Sequence, residues 1–179
     1  MYPRSNEDDL RSLIIPLVRE VPDFPEPGVL FRDLAPVLAD GTAFRALIDA
    51  LVALAPDVDV VVGVEARGFL LGAAAGYALR AGVVGVRKPG KLPVVADREA
   101  YDLEYGTTSL ELPDDSLHPG QRVLVVDDVL ATGGTAAATC ALVERAGAQV
   151  SAVVVVLEIA MLGGRERLTG RPLHALLTV

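Results

Sequence analysis

The chain has 179 residues, of which 51% are hydrophobic and 22% are charged, as expected for one globular domain with a substantial core. Its formal net charge of −8 excludes the broad basic face with which proteins bind nucleic-acid backbones. The lone cysteine, Cys140, excludes an internal disulfide and a cysteine-based zinc cluster, and we expect it to be a small core residue.

The sequence also lacks the features of membrane and secreted proteins. Charge-free stretches such as Gly68–Leu79 and Ala146–Leu157 are shorter than the roughly 18 residues that a membrane-spanning helix needs. Its start, MYPRSNEDDL, is polar and acidic, unlike a secretory signal. We therefore expect a cytoplasmic protein with no membrane or nucleic-acid partner, folded as a single domain over residues 1–179.

Strands and helices are predicted to alternate along most of the chain. Nearly continuous β-branched runs predict strands buried on both faces, as in a parallel sheet. The predicted strands are Asp59–Val64, Val83–Val86, Val123–Val126 and Val150–Leu157, and the predicted helices are Thr42–Ala55, Gly68–Ala81 and Thr135–Ala146. This order predicts an α/β fold with an open, mainly parallel sheet flanked by helices. In the middle helix, a glycine at every fourth residue from Gly68 to Gly76 predicts close packing on the sheet.

Two segments do not fit this alternation. Residues 21–36, VPDFPEPGVLFRDLAP, contain four prolines and predict an extended, rigid arm. Residues 92–120 are too long for a simple crossover, and their Tyr105–Leu112 part alternates as a hairpin strand does. Loops of this length in compact domains are usually lids or binding loops, so we expect a flexible lid here.

Three of the predicted strands end in charged loops. Arg67 follows the first strand, the segment VRKPGKLP (residues 86–93) follows the second, and the third ends at Asp127 and Asp128. Ligands of open parallel sheets bind beyond the carboxyl ends of the strands, where the strand order reverses. The sequence therefore predicts that the basic side chains converge on a multiply charged anion beside the two aspartates.

The segment ATGGT, residues 131–135, continues from the aspartates into a predicted helix. Two glycines allow successive N–H groups to turn inward, and a helix start adds N–H groups without an intrahelical partner, a combination that binds phosphate. Thr132 and Thr135 can add hydroxyl donors, and Thr135 can cap the helix. A ligand that carries both a diol and a phosphate would satisfy the aspartates and this loop together.

The complete run VLVVDDVLATGGT resembles the signature of the type I phosphoribosyltransferases. The resemblance implies that Asp127 and Asp128 hold the ribose hydroxyls of 5-phosphoribosyl-1-pyrophosphate. The residues implied to cradle its 5-phosphate are Ala131, Thr132, Gly133, Gly134 and Thr135, and those implied to bind its pyrophosphate are Arg67, Arg87, Lys88 and Lys91.

Further segments are similar to the adenine phosphoribosyltransferases, in order from about Val21 to Leu168. They are DFPEPGVLFRDLAPVL (23–38), GVEARGFLLG (63–72), VRKPGKLP (86–93) and YDLEYGTTSLEL (101–112). The resemblance implies a pentosyltransferase of purine salvage, which converts adenine and the donor into AMP and pyrophosphate. It also implies a homodimer, a base-binding arm or hood at 21–38, a lid at 92–120, and Mg²⁺ held mainly by the substrate rather than by direct protein ligands.

The resemblance also implies which residues meet the base. Phe31 would pack against the purine ring opposite Val129, and backbone groups of Leu30 and Arg32 would meet its edge. In the lid, Glu104 takes the position of the family's catalytic carboxylate, with Tyr105 beside it. The chain departs from the pattern at Glu65, where some relatives carry aspartate, at Val129, where leucine is frequent, and at 94–100, which match nothing in the pattern.

Two alternatives stay open at this point. One is a phosphoribosyltransferase for another base, a 6-oxopurine or orotate. The other is a non-catalytic regulator that senses the donor or controls transcription. No basic winged or helix-turn-helix pattern precedes residue 21, and the presence of Glu104 in a full-length lid also favours an enzyme.

Overall fold

The computed structural model describes residues 4–55, 57–103 and 106–179. Its contacts divide the chain into two compact units, Met1–Ala50 and Leu51–Val179. The elements of the first unit are α1 (Arg4–Ile14), a 3₁₀ turn (Ile15–Leu17), β1 (Arg19–Pro22), β2 (Leu30–Asp33), α2 (Ala35–Ala39) and α3 (Gly41–Ala53), in which this unit ends. Strands β1 and β2 pair antiparallel, so the proline-rich arm is a ribbon rather than a single extended segment.

The second unit contains the alternating part of the chain. Its elements are β3 (Val60–Val64), α4 (Arg67–Leu79), β4 (Gly82–Val86), β5 (Val95–Leu103), β6 (Gly106–Pro113), β7 (Arg122–Leu130), α5 (Gly134–Arg145), β8 (Gln149–Glu158), two 3₁₀ turns (Ala160–Leu162 and Gly164–Leu168) and β9 (Leu173–Thr178). Within the described residues, β4, β3, β7, β8 and β9 form one parallel sheet in that spatial order. The predicted α/β fold with a mainly parallel sheet is confirmed.

The strand order reverses between β3 and β7, because the chain goes outward from β3 to β4 and then returns to the other side of β3. Such a reversal leaves a crevice at the carboxyl ends of the two strands. The start of α4, with Arg67, and the end of β7, with the two aspartates, therefore flank the position where this fold class binds ligands.

Strand β9 was not predicted from the sequence. It is a partly exposed edge strand with His174 and Thr178 among its residues, so it lacks the apolar run of the other strands. The connection that precedes it contains 3₁₀ turns rather than a helix, so the alternation that identified the other strands is absent here.

Glycines bring α4 close to the sheet, as predicted. A Cβ atom on Gly63 would lie 2.5 Å from the carbonyl oxygen of Gly68, and one on Gly68 would lie 2.9 Å from the carbonyl oxygen of Val126. A Cβ atom on Gly72 would lie 3.2 Å from the Cα atom of Gly63. Side chains at these positions would push α4 away from β3 and β7, and with it the start of the helix at Arg67.

The predicted lid region is a β-hairpin in the structure. Strands β5 and β6 pair antiparallel, and 94–100, which sequence comparison could not place, lie largely in β5. Leu110 and Leu112 of β6 belong to the hydrophobic core of the second unit, together with the valines of the parallel sheet and the inner face of α5. Arg145, at the end of α5, pairs with Asp97 and Glu99 of β5 at 2.6 Å each. The base of the hairpin is thus fixed to the core on one strand and to α5 on the other.

In the part of the chain that the structure describes, no helix has both the length and the apolar character needed to cross a membrane.

Candidate functional site

The carboxyl end of β7 carries the aspartate pair beside the crevice. Both Asp127 and Asp128 are buried, with 8% of each residue exposed. The backbone N–H of Asp128 donates a hydrogen bond of 2.8 Å to the Asp127 carboxylate, and Arg67 forms an ion pair with Asp128 across the crevice. Arg67 therefore lies next to the aspartates, as predicted, and pairs with one of the two carboxylates.

Burial raises the pKa of Asp127 well above its ordinary value, and the charge of Asp128 next to it raises this pKa further. Hydrogen bonding from the backbone of Asp128 and the charge of Arg67 lower it by less. An ionised Asp127 is thus costly. A ligand that brings hydroxyl donors or positive charge would relieve this cost, as expected of a carboxylate pair that receives a ribose diol.

The loop after β7 has the conformation expected of a phosphate site. Gly133 has a φ of 80°, in the left-handed region that favours glycine, and α5 begins at Gly134. The expectation that Thr135 caps the helix is wrong, because Gly133 is the N-cap and no side-chain capping hydrogen bond is formed. The first N–H groups of a helix have no intrahelical partner, so the start of α5 offers donors to a phosphate.

A second segment supports this loop from behind and was not predicted from the sequence. A Cβ atom on Gly133 would lie 2.2 Å from the carbonyl oxygen of Gly164, and one on Gly164 would lie 2.2 Å from the carbonyl oxygen of Ala131. Arg165 fixes the supporting segment by pairing with the buried Glu158 at the end of β8. The sequence signal was the pair Gly163–Gly164, but only the fold reveals its contact with Gly133.

The basic loop, defined here as residues 87–91, follows β4 and contains three predicted site residues. Arg87 is half-buried, and its guanidinium lies 5.7 Å from the ring centre of Phe69, while Lys88 and Lys91 are exposed. Glu65 connects this loop to the Arg67 loop, since its carboxylate accepts a 2.9 Å hydrogen bond from the Lys88 N–H. The cationic loops predicted from the ends of β3 and β4 are therefore in direct contact.

The predicted base-binding residues belong to different parts of the chain. Leu30, Phe31 and Arg32 lie in β2 of the first unit, where the Phe31 ring packs edge-on against Phe24 with ring centres 5.1 Å apart. Sequence analysis did not single out Phe24, which is half-exposed. Val129 lies in β7 of the second unit and is partly exposed.

The proposed catalytic carboxylate Glu104 and its neighbour Tyr105 lie outside the described residues. The strands on either side of them, β5 and β6, pair as far as Leu103 and Gly106.

The acidic residues of the site fit a magnesium ion that arrives with a phosphorylated ligand. Mg²⁺ prefers oxygen ligands and is commonly held by one or two carboxylates together with substrate phosphates. Asp127 and Asp128 provide two carboxylates next to the phosphate loop. Among the described residues, no cluster of three or more histidine, cysteine, aspartate or glutamate side chains could hold a metal ion.

The fold and the site together define an α/β protein with a buried acidic pair and a glycine loop at a helix start, both at the switch point of a parallel sheet. The profile of the phosphoribosyl transferase domain matches residues 38–168, most of the chain. The chain belongs to this family.

Two similar proteins of this family are named adenine phosphoribosyltransferases. The chain is 65% identical to an adenine phosphoribosyltransferase of Saccharopolyspora erythraea, over 90% of this chain and 88% of that protein. It is 58% identical to the Clavibacter michiganensis protein of the same name, over 97% of this chain and 99% of that protein.

Solved structures of the same name share the fold. The adenine phosphoribosyltransferase of Thermoanaerobacter pseudethanolicus aligns with a TM-score of 0.91 at 44% identity, over 95% of this chain and 99% of that one. The Saccharomyces cerevisiae enzyme, complexed with an imino-altritol bisphosphate and adenine, aligns with a TM-score of 0.88 at 36% identity, over 98% and 100% of the two chains.

The aspartate pair generates a prediction in which activity and stability change independently. Asp127→Asn retains an oxygen that can accept the Asp128 N–H but loses the carboxylate charge at the end of β7. Steady-state assays should show turnover lower by about two to three orders of magnitude. Asp128→Asn should lower turnover similarly. Near-normal turnover in both variants would contradict the role of holding the diol.

Thermal denaturation of Asp127→Asn provides the second measurement. Since the folded pKa of Asp127 is raised, ionisation destabilises the native state of the wild type as pH rises from the unfolded value of about 4 towards the folded value. The variant lacks this titration, so at neutral pH its melting temperature should equal or exceed that of the wild type. This advantage should diminish below about pH 4, where the carboxyl is protonated in both states.

Proposed function

We propose that this protein transfers the phosphoribosyl group from 5-phosphoribosyl-1-pyrophosphate to adenine, forming AMP and pyrophosphate. The observation that carries the proposal is the buried pair Asp127–Asp128, which continues directly into the Gly133–Gly134 phosphate loop at the switch point of the sheet. The carboxylates suit a diol, and the helix start suits the 5-phosphate. The names of relatives that match nearly the whole chain support adenine as the acceptor.

The reaction is a displacement at the anomeric carbon of the ribose. The bond to pyrophosphate breaks as the bond to the purine nitrogen forms, and positive charge develops on the ribose in the transition state. Asp127 and Asp128 would stabilise this charge, while Arg67 and the basic loop would stabilise the departing pyrophosphate. This division matches the separation of acidic and basic groups between the end of β7 and the loops after β3 and β4.

The ion pair between Arg67 and Asp128 supports an exchange of partners on binding. When the donor's hydroxyls occupy Asp128 and its pyrophosphate arrives nearby, Arg67 can leave the carboxylate for the stronger anion. Mg²⁺, when bound with the donor, would neutralise part of the charge on the pyrophosphate.

Positioning and exclusion of water account for the remaining catalytic effect. Fixing two reactants in a productive geometry can supply up to roughly 7–11 kcal/mol of the barrier. Water would attack the same electrophilic carbon, so the site needs a cover during the reaction. The β5–β6 hairpin suits this function for two reasons. Its base is anchored by Leu110, Leu112 and Arg145, and its first strand, β5, follows the basic loop in the chain.

The pairing of the arm supports base recognition by its backbone. Pro22 faces Leu30 across the ribbon and has no N–H, so this pair cannot exchange both hydrogen bonds. Hydrogen-bonded and non-hydrogen-bonded pairs alternate in antiparallel ribbons, so the N–H and C=O groups of Leu30 and Arg32 point away from β1. These groups can therefore donate to and accept from the edge of a purine, with the ring packed on Phe31.

One assay tests the proposal directly. Purified protein, donor and Mg²⁺ are incubated separately with adenine, hypoxanthine, guanine and orotate, and nucleotide and pyrophosphate formation are measured. AMP formation with adenine is the expected result. Binding of the donor without turnover of any base would contradict the proposal and favour a donor-sensing protein.

We expect adenine to be strongly preferred over hypoxanthine. Adenine presents an amino donor and a ring acceptor on its pairing edge, whereas hypoxanthine presents the reverse. The chain has no lysine after Lys91, so the lysine that 6-oxopurine enzymes place near the oxo group is absent from the sequence. Because the wrong purine would bury mismatched polar groups, discrimination should reach about 10⁴–10⁵.

Competition between adenine and hypoxanthine for limiting donor measures this preference. Comparable formation of inosine monophosphate would overturn adenine as the specific substrate and leave the phosphoribosyl chemistry intact.

Glu104 is proposed as the group that handles the proton on the imidazole part of the purine. General acid–base assistance is typically worth roughly 10²–10⁴ in rate. Glu104→Gln should therefore lower kcat far more than it raises the KM for adenine. A change confined to the KM for adenine would make Glu104 a binding residue instead.

We also propose a homodimer. Leu70 and Tyr77, two turns apart on α4, are exposed, with 57% and 90% of their areas accessible. Val83 of β4, whose side chain lies against Gly76 of that helix, is 47% exposed. Apolar residues clustered in this way are typical of interfaces. Sedimentation at micromolar concentration should give a dimer, and Leu70→Glu should weaken it. A fully active, stable monomer would contradict the proposal.

The composition suits an enzyme of the cytoplasm, with a single cysteine, which is buried, and a formal net charge of −8.

A further inference from the structure

Two acidic side chains lie within the cationic part of the site, where their charge opposes the binding of an anion. They are Glu65, in the loop after β3, and Glu111, in the middle of β6. Carboxylates close to a pyrophosphate subsite lower the local positive potential. Because these acids weaken anion binding by Arg67, Arg87 and the two lysines, we expect them to have a structural role that compensates for the lost affinity.

Glu65 binds the beginning of the basic loop. One carboxylate oxygen, Oε2, accepts the 2.9 Å hydrogen bond from the Lys88 N–H and lies 3.5 Å from Nε of Arg87. The Arg87 guanidinium lies over the ring of Phe69, so it is held between a carboxylate and an aromatic face. The direction of the Arg87 side chain and the backbone of Lys88 are thus set by the same acidic oxygen.

Glu111 binds the end of the same loop. Only 1% of this residue is exposed, and its carboxylate accepts a 3.1 Å hydrogen bond from the Gly90 N–H and pairs with Arg98 of β5. The backbone of Glu111 exchanges hydrogen bonds of 3.0 and 2.7 Å with the backbone of Arg87. The loop is therefore also fixed to the hairpin.

We propose that Glu65 is a positioning residue, which holds the basic loop in its pyrophosphate-binding shape through the N–H of Lys88, with Glu111 holding the other end through the N–H of Gly90. The proposal rests on the proposed function, since it assigns this loop to the pyrophosphate. Both acids bind backbone groups, so the side chains of Lys88 and Lys91 stay exposed and available to the ligand. A loop shaped in advance loses less conformational entropy when it binds, which increases affinity.

Two substitutions at Glu65 separate its hydrogen bond from its charge. Glu65→Gln and Glu65→Met remove the same charge and keep a similar shape, but only glutamine retains an oxygen that can occupy the position of Oε2. Calorimetric titration with inorganic pyrophosphate and Mg²⁺ should show the Met variant binding about tenfold or more weakly than the Gln variant, as expected for the loss of a hydrogen bond that fixes a loop. Glu65→Ala provides the same comparison if the Met variant fails to fold.

Steady-state kinetics provides a readout that general destabilisation would not change. The Met variant should raise the KM for the donor by about tenfold while the KM for adenine changes by less than about twofold. Glu144→Gln is the matched control: it removes one carboxylate charge near the far end of α5, about 15 Å from the start of that helix, and should leave both values unchanged.

Equal pyrophosphate affinities in the Gln and Met variants would overturn the proposal, because charge alone would then account for the role of Glu65. Equal increases in the KM for donor and for adenine would also overturn it. The wild type distinguishes these failures from failure of the proposed function: a wild type that binds pyrophosphate but forms no AMP rejects the activity and leaves the loop measurement valid.

Discussion

The site depends on keeping two adjacent carboxylates buried at the end of a central strand. Asp127 and Asp128 lie near the carboxyl end of β7, the middle strand of the sheet, where neighbouring strands remove most solvent from around them. Burying like charges together costs free energy. The fold limits this cost with Arg67 at the start of α4 and with the backbone N–H of Asp128. The surrounding architecture can be understood as the means of bringing these compensating groups to one edge of the sheet.

The close packing of α4 on the sheet brings Arg67 to the aspartates. Gly63, Gly68 and Gly72 let the helix lie against β3 and β7 at backbone contact distance. Arg67 is the first residue of this helix, so its position relative to Asp128 follows from the glycine packing. A helix held further out by side chains would move the cation away from the carboxylates, and the aspartate pair would lose its nearest opposite charge. The glycines that let α4 pack on the sheet therefore also determine how close Arg67 lies to the aspartates.

The sequence predicted the features that depend on local patterns. The apolar runs gave four of the parallel strands, and the continuation of Asp127–Asp128 into ATGGT indicated the phosphate site. The missed features depend on contacts between distant segments. Gly164 supports Gly133 only after the chain has passed through α5 and β8. The hydrogen bonds that the carboxylates of Glu65 and Glu111 accept from the basic loop cannot be recognised from composition or spacing. The prediction placed the helix N-cap at Thr135 because threonine is a common N-cap residue. In the structure the helix begins two residues earlier, with Gly133 as the N-cap.

The contact between Gly133 and Gly164 has a consequence for how this sequence can vary. Each glycine occupies space that a methyl group on the other segment would need, so neither position tolerates a larger residue independently. Between the end of β8 and Gly164 the chain passes through the exposed Met161, whose identity is little restricted by packing. The number of residues in this connection is restricted, however, because an insertion or deletion would displace Gly164 from the phosphate loop. We therefore expect homologues to vary in the composition of this surface turn while conserving its length, a pattern opposite to that of most exposed loops.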